Sequence, residues 1–363
     1  MVVCRKRLGF VAWLSCGETL KQPLLKFGVI SDVQFADVDD GLNYHGTRRR
    51  RYRQSLETLS VAREAWEKEG VDFAVALGDL VDGKASRSAV ERVEDAARSL
   101  KFPWHVAWGN HDHVHMSRET MRKFLGEDRK FAEEPDGLYY QFRPAPGVRC
   151  CVVDAFYKSV VGAAGGEKGR QKSADFLASK NPNIDRHDPR RSSAQTPGGW
   201  LRGLHEDDVR FVMFNGGFGE KQINWFKTEV LEEAKRHNEV LFVFSHVPVY
   251  PLASRSQNVA WDYENILTAI DDYDDVPLVW FCGHDHDGGF ATRGKTQVYL
   301  TPPAPLECDR GQVSFGTVEV SHGGSVSLNW RGKTPHNSHH PWPTSFIIDK
   351  QSDLKAHHHG AIV

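Results

Sequence analysis

No segment of this 363-residue chain approaches the roughly 18 to 20 apolar residues that a helix needs to cross a bilayer, so no membrane partner is expected. A surplus of one charge is missing too. With 46 Lys and Arg against 48 Asp and Glu, the formal net charge is -2, and no overall field recruits a polyanion such as nucleic acid. Cysteine is sparse: Cys4, Cys16, Cys150, Cys151, Cys282 and Cys308 have neither zinc-site spacing nor a disulfide pattern, so reduced thiols are expected. Cys150-Cys151 and Cys282 lie in apolar runs and are read as core. No internal repeat is present, which excludes solenoid arrays. Arg5-Lys6-Arg7 before Leu8 to Leu14 imitates a signal sequence, but the run is short, contains Gly9, and gives way to Glu18 and Lys21. A cytoplasmic, monomeric protein is the expectation.

What is present is a full complement of core-forming residues, 40% hydrophobic and 26% charged, enough for one large α/β domain. Five apolar runs have strand length: Leu25 to Ile30, Phe73 to Leu77, Trp104 to Trp108, Val240 to Phe244 and Val276 to Cys282. A polar cluster closes each of them. In order these are Asp32-Val33-Gln34, Gly78-Asp79-Leu80-Val81-Asp82, Gly109-Asn110-His111-Asp112, Ser245-His246-Val247-Pro248 and Gly283-His284-Asp285-His286. Candidate ligands therefore gather at the carboxyl ends of strands, where open α/β sheets bind their ligands. Carboxylate, imidazole and amide oxygen suit divalent ions such as manganese, iron or zinc, and a carboxylate can bridge two of them. Two such ions roughly 3.5–4 Å apart clamp a phosphoryl group and activate water at neutral pH.

This ordered set resembles the calcineurin-like metallophosphoesterase superfamily from about Lys26 to about Trp330. The resemblance implies a four-layer α/β/β/α sandwich of two mixed sheets. It implies that Asp32, Gln34, Asp79 and His286 hold one metal while Asp79, Asn110, His246 and His284 hold the other, with Asp79 as bridge. His111 would be a non-ligand donating a proton or hydrogen bond to a phosphoryl oxygen, and Asp112 would orient a histidine. Most members carry His where this chain has Gln34. Gln34 together with Phe35-Ala36-Asp37, Asn43 to Arg50, Asn215-Gly216-Gly217-Phe218, and Asp287-Gly288-Gly289 resembles the manganese-dependent ADP-ribose/CDP-alcohol diphosphatases within that superfamily. The activity so implied is hydrolysis of a small nucleoside diphosphate, with manganese as the expected metal and magnesium, iron or zinc as alternatives. ADP-ribose would give AMP and ribose 5-phosphate; CDP-choline would give CMP and phosphocholine. Other phosphodiester or phosphomonoester substrates on the same site, or a non-catalytic binding scaffold, are the competing readings.

The remaining expectations concern the flanks of that site. Tyr44, Arg49 and Phe218 are candidate substrate contacts, Arg49 from the basic run Arg48 to Arg51, which otherwise reads as a solvated helix face. Helices are expected over Gln54 to Lys68 and Lys221 to Arg236 from their apolar spacing. Residues 156–208, rich in Gly, charge and turn formers, read as an insertion or lid over the site. Residues 1–24 read as an extension, 25–332 as the catalytic domain, and 333–363, with His-rich pieces at 337–341 and 357–359, as a surface tail.

Overall fold

The computed structural model describes residues 22–43, 45–126, 129–132, 134, 136–189, 199–335, 342–347 and 356–358; the expectations for the N-terminal basic and apolar segment, Cys4, Cys16, Tyr44 and residues 337–341 fall outside them. The apolar runs become strands: β1 (Leu25–Ile30), β2 (Phe73–Ala76), β3 (Trp104–Val106), β4 (Tyr140–Ala145), β5 (Val148–Val152), β6 (Val240–Phe244) and β7 (Leu278–Phe281). They are followed by β8 (Gly289–Arg293), β9 (Gln297–Thr301), β10 (Ser314–Val320), β11 (Ser325–Gly332), β12 (Pro343–Ile347) and β13 (Ala356–His358). Among the described residues these thirteen strands form two large sheets, ordered β13-β12-β11-β10-β1-β2-β3 and β8-β9-β7-β6-β5-β4. Both are mixed. The strands β1, β2 and β3 run parallel in the first and β5, β6, β7 and β9 in the second, with antiparallel partners outside them. Parallel strands are covered on both faces, which is why β2 and β7 are buried at every position and read as unbroken apolar runs.

Alternation along β1 shows how the layers are built. Phe27 points between the sheets, where its ring meets Phe242 at 5.3 Å, Phe244 at 5.8 Å and Phe281 at 6.2 Å in edge-on contacts that join the two sheets face to face. Gly28 points outward beneath the helix Tyr52–Glu69, and a Cβ there would overlap the Trp66 ring. Trp66 is fully buried and its indole N–H donates to the Gly316 carbonyl at 3.0 Å, tying that helix to β10. Across the molecule Leu241, Val243 and Trp280 face outward under Phe226, Val230 and Ile266. The result is the expected four-layer sandwich.

Two regions depart from expectation. The chain beyond residue 332 is not a surface tail throughout: β12 and β13 add two antiparallel strands to the first sheet. Phe346 is fully buried and Trp342 stacks edge-on with Trp330 at 5.6 Å, so apolar burial holds the segment down. The stretch 156–208 is also more ordered than its composition implies, since Gly166–Lys180 is a helix whose Ala174 and Leu177 join Val160, Ile184, Phe211 and Trp261 in a separate small core. The second expected helix does form, as Gly219–Trp225, a π-turn at Phe226–Leu231, and Glu232–Arg236. The described cysteines, Cys150, Cys151, Cys282 and Cys308, are free and buried, and among the described residues no helix is long and apolar enough to cross a membrane.

Candidate metal centre

The strands β1, β2, β3, β6 and β7 all deliver their carboxyl ends to one edge of the sandwich, where the chain must leave the sheet abruptly. Five non-glycine residues among those described have positive φ, and four of them are Asp32, Gln34, Asp79 and His284, at φ values of 46, 43, 51 and 68°. Such conformations cost about 1–3 kcal/mol each and persist where surrounding structure enforces them. Here the enforcement is visible. Asp32 N–H donates to the Gly78 carbonyl at 3.1 Å and Gln34 N–H to the Asp79 carbonyl at 2.7 Å, so the loops after β1 and β2 hold each other. Gly109 permits the third loop to approach, because a Cβ on it would overlap Asp79 Oδ1.

The side chains that these loops present converge. Atoms of Asp79, His246 and His284 all lie within 4.8 Å of one another, and His246 Nε2 is 3.1 Å from His284 Nδ1 and 3.5 Å from Asp79 Oδ2. On the other side, Gln34 Nε2 is 2.9 Å from both Asp79 Oδ2 and His286 Nε2, and His286 Nε2 is 3.5 Å from Asp32 Oδ1. Asp79 is thus shared between two groups of donors. Three buried oxygens in the cluster, Asp32 Oδ1, Gln34 Oε1 and Asn110 Oδ1, accept no hydrogen bond within the protein. Leaving such acceptors unmet is costly, and a cation is the partner this donor set fits.

Each histidine is held by its far nitrogen. His246 Nδ1 faces the Leu77 carbonyl at 2.7 Å, His284 Nε2 faces Asn215 Oδ1 at 2.7 Å, and His286 Nδ1 faces Glu307 Oε1 at 2.9 Å. In the neutral form of each ring the nitrogen turned into the cluster is the one left to donate a lone pair. Electrostatics mark the same spot. Burial opposes charge on His286, yet the carboxylates of Glu307 and Asp32 raise it to about 9. Burial, then repulsion by Asp79, pushes Asp112 up to about 7, whereas His284 is driven well below the ordinary imidazole range by burial and by His246.

Asp112 does not orient a histidine. Its Oδ1 accepts from the amides of Leu80 at 2.9 Å and Val81 at 3.3 Å, and its Oδ2 from Gly109 at 3.0 Å, so it clamps the second loop to the third. His111 lines the cavity above the cluster, with Nε2 3.9 Å from Asp79 Oδ2. The Gly83 amide donates to its Nδ1 at 2.7 Å, which leaves the proton of the neutral ring on Nε2, facing the site.

Residues 25–288 match the calcineurin-like phosphoesterase family. The chain belongs to that family. It is 36% identical to a Bos taurus protein and 35% identical to a Homo sapiens protein, each named manganese-dependent ADP-ribose/CDP-alcohol diphosphatase, covering 86% of this chain and 93% and 91% of theirs. An Oryza sativa protein of the same name is 33% identical over 83% of this chain and 89% of its own length. Among solved structures, a dimetal phosphatase from Danio rerio superposes with a TM-score of 0.76 at 31% identity, covering 86% of this chain and 98% of that one.

In this calcineurin-like phosphoesterase the cluster opens into a cavity of about 560 Å³ whose walls correct the expected substrate contacts. Phe218 is not among them: it is fully buried, 6.2 Å edge-on from Trp280, in the core beneath the second sheet. Arg49 is exposed and points away, while Arg48 and Arg50 line the cavity. The short ladder between Gly41–Leu42 and Arg49–Arg50 sets that parity. Arg48 pairs with Asp287 and Arg50 with Glu307 at 3.2 Å. Opposite them Arg255 holds Asp285 through Nε at 3.0 Å. The aromatic wall is Trp200 with Phe214, their rings 6.0 Å apart, and Phe214 is 6.0 Å from His284. Trp200 and Leu201 lie within the 156–208 stretch, so that stretch contributes described residues to the cavity wall. Asn215 stood in a motif by which the sequence resembles the diphosphatases, but nothing local marked Glu307, which follows β9 in a Pro305–Glu307 turn.

Proposed function

We propose that this protein is a two-metal diphosphatase that hydrolyses the phosphoanhydride bond of ADP-ribose and of CDP-alcohols such as CDP-choline and CDP-glycerol. The products are a nucleoside monophosphate and a phosphorylated sugar or alcohol. The observation that carries the reading is the pair of donor groups sharing Asp79, with three buried oxygens lacking partners, in a chain 33–36% identical to three relatives of that name. Asp32, Gln34, Asp79 and His286 would hold one divalent cation, and Asp79, Asn110, His246 and His284 the other, manganese being the first candidate and magnesium, iron or zinc the alternatives. Bound cations would polarise the phosphoryl oxygens and make water nucleophilic at neutral pH.

The chain's own groups supply the rest. His111, with its N–H on Nε2, donates a hydrogen bond to the leaving or an equatorial oxygen, and the Gly83 amide fixes the ring for that contact. Arg48, Arg50 and Arg255, held by carboxylates, line the path of the diphosphate, and Trp200 and Phe214 offer ring faces to a base. Residues 156–208 act as a partial lid. The protein works as a cytoplasmic monomer on a small molecule, in keeping with its near-neutral charge.

The test is a substrate panel of ADP-ribose, CDP-choline, CDP-glycerol, cyclic ADP-ribose and an aryl phosphate, each with Mn²⁺ or Mg²⁺. ADP-ribose and the CDP-alcohols should lead with Mn²⁺. Faster turnover of the aryl phosphate or of a cyclic substrate would assign a different phosphoesterase activity, and no turnover of any would leave the scaffold reading.

A further inference from the structure

Glu307 belongs to none of the five motif loops, yet its side chain is 3% exposed and lies against one of their histidines. Its Oε1 is 2.9 Å from His286 Nδ1 and 3.2 Å from Arg50 Nε, and its Oε2 is 3.7 Å from Arg48 Nη1. Comparison of the three clustered histidines makes this partner unusual. His246 is backed by a neutral carbonyl and His284 by a neutral carboxamide; His286 alone of the three is backed by a carboxylate. His286 also shares its donor group with Gln34, whose neutral amide oxygen is a weaker ligand than imidazole. A carboxylate on the far nitrogen makes an imidazole a stronger donor at its near nitrogen.

We propose that Glu307 is a positioning residue that strengthens His286 to offset the weak donor Gln34, so that the cation held by Asp32, Gln34, Asp79 and His286 is retained alongside its neighbour. The inference rests on the two-metal reading above. It makes the affinity of one cation depend on a charge on the far side of an imidazole ring. It also links that cation to the 41–50 segment, because Arg48 and Arg50 steady the same carboxylate. Orientation and charge separate cleanly here: Glu307→Gln keeps an oxygen able to face His286 Nδ1 and removes only the charge.

The experiment uses the full chain stripped by chelation and dialysed against graded Mn²⁺, with bound metal counted by elemental analysis and free Mn²⁺ by electron paramagnetic resonance. The unaltered protein should take up two ions. In Glu307→Gln the half-saturation concentration of one ion should rise about 10- to 100-fold, a usual effect of losing a ligand's hydrogen-bond partner, while the other stays put. Adding Gln34→His to Glu307→Gln should recover most of that loss by supplying the stronger donor directly. An unchanged isotherm for Glu307→Gln, equal weakening of both ions, or no recovery in the double variant overturns the proposal. Should Glu307→Gln fail to fold, as judged by circular dichroism, Glu307→Asp carries the test, since withdrawing the oxygen by one methylene must weaken the same ion selectively. Uptake of fewer than two ions by the unaltered protein overturns the two-metal reading and this proposal with it. Two-ion uptake without turnover of any diphosphate would remove the proposed activity while leaving Glu307's role standing.

Discussion

Replacing Gly109 with alanine should damage chemistry far more than folding. The added Cβ overlaps Asp79 Oδ1 and falls 2.5 Å from the Asp79 amide nitrogen and 2.7 Å from its Cγ. Backbone lies on one side and the shared carboxylate on the other, so the inserted methyl has no flexible chain end to displace. Overpacking of this kind costs about 1–3 kcal/mol of stability. The carboxylate is the softer of the two neighbours, so most of the strain moves Asp79, which His111 N–H also holds at 2.8 Å. A displacement near 1 Å of a group that positions the reacting atoms costs about 10²-fold in rate. Gly147→Ala provides the matched control: its φ is 78°, nothing lies within 4 Å of the new Cβ, and it sits in the turn between β4 and β5, away from the site. Adopting left-handed backbone without glycine costs about 1–2 kcal/mol, so both variants should lose a similar few degrees of Tm. Steady-state turnover of ADP-ribose at saturating Mn²⁺ should then fall about a hundredfold in Gly109→Ala and hold in Gly147→Ala. Equal turnover in the two would refute the claim that Gly109 exists to make room for Asp79.

Asp79→Asn should abolish turnover while leaving the circular dichroism spectrum intact, because the shared carboxylate joins both donor groups; activity like that of the parent at saturating Mn²⁺ would remove Asp79 from that role. His111→Ala should lower turnover by about 10²- to 10⁴-fold with both cations still bound, and loss of a metal equivalent on elemental analysis would show it to be a ligand instead. Acid should weaken the fold through two buried histidines, His105, whose shift owes nothing to the site, and His113, whose charged form His246 also disfavours. Burial, aided by Arg129 beside His105 and Arg118 beside His113, holds both well below the ordinary imidazole range. Their contribution is therefore complete above about pH 6.5 and is lost as pH falls below it, since the unfolded chain takes the protons first, at up to about 1.4 kcal/mol per pH unit for each. Urea unfolding of the chelated protein between pH 7 and pH 5.5 should show that slope, and His105→Phe should reduce it; an identical slope in the variant would exclude His105 as a source.

What the sequence determined by itself is everything that is local. A parallel strand covered on both faces must be a short apolar run, and the residues just past it must leave the sheet, so strand ends and ligands lie next to one another in the chain. Asp32 follows β1 by two residues, Asp79 follows β2 by three, and His246 follows β6 by two. Gly78, Gly109 and Gly283 are legible for the same reason, being the residues without a side chain at each exit. The resemblance supplied the layer order, which no single run contains.

Only the tertiary structure decided the partners. Leu77, Asn215 and Glu307 stand behind histidines 169, 69 and 21 residues away in the chain, and no local pattern encodes a hydrogen bond formed across that separation. Asp112 was read as a histidine's partner from its motif, but the approach of the second and third loops gives its oxygens three amides first. Parity decided between the arginines: one short ladder turns Arg48 and Arg50 to the cavity and Arg49 to solvent, and a shift of one residue would reverse them. Phe218 is an aromatic in a glycine-rich motif, which is as suitable for a substrate wall as for a core; the outer face of β7 took it, because Trp280 there needed covering. The strands beyond residue 332 escaped for a related reason. They are short, and the burial of Trp342 and Phe346 against an already formed sheet is what makes that segment ordered.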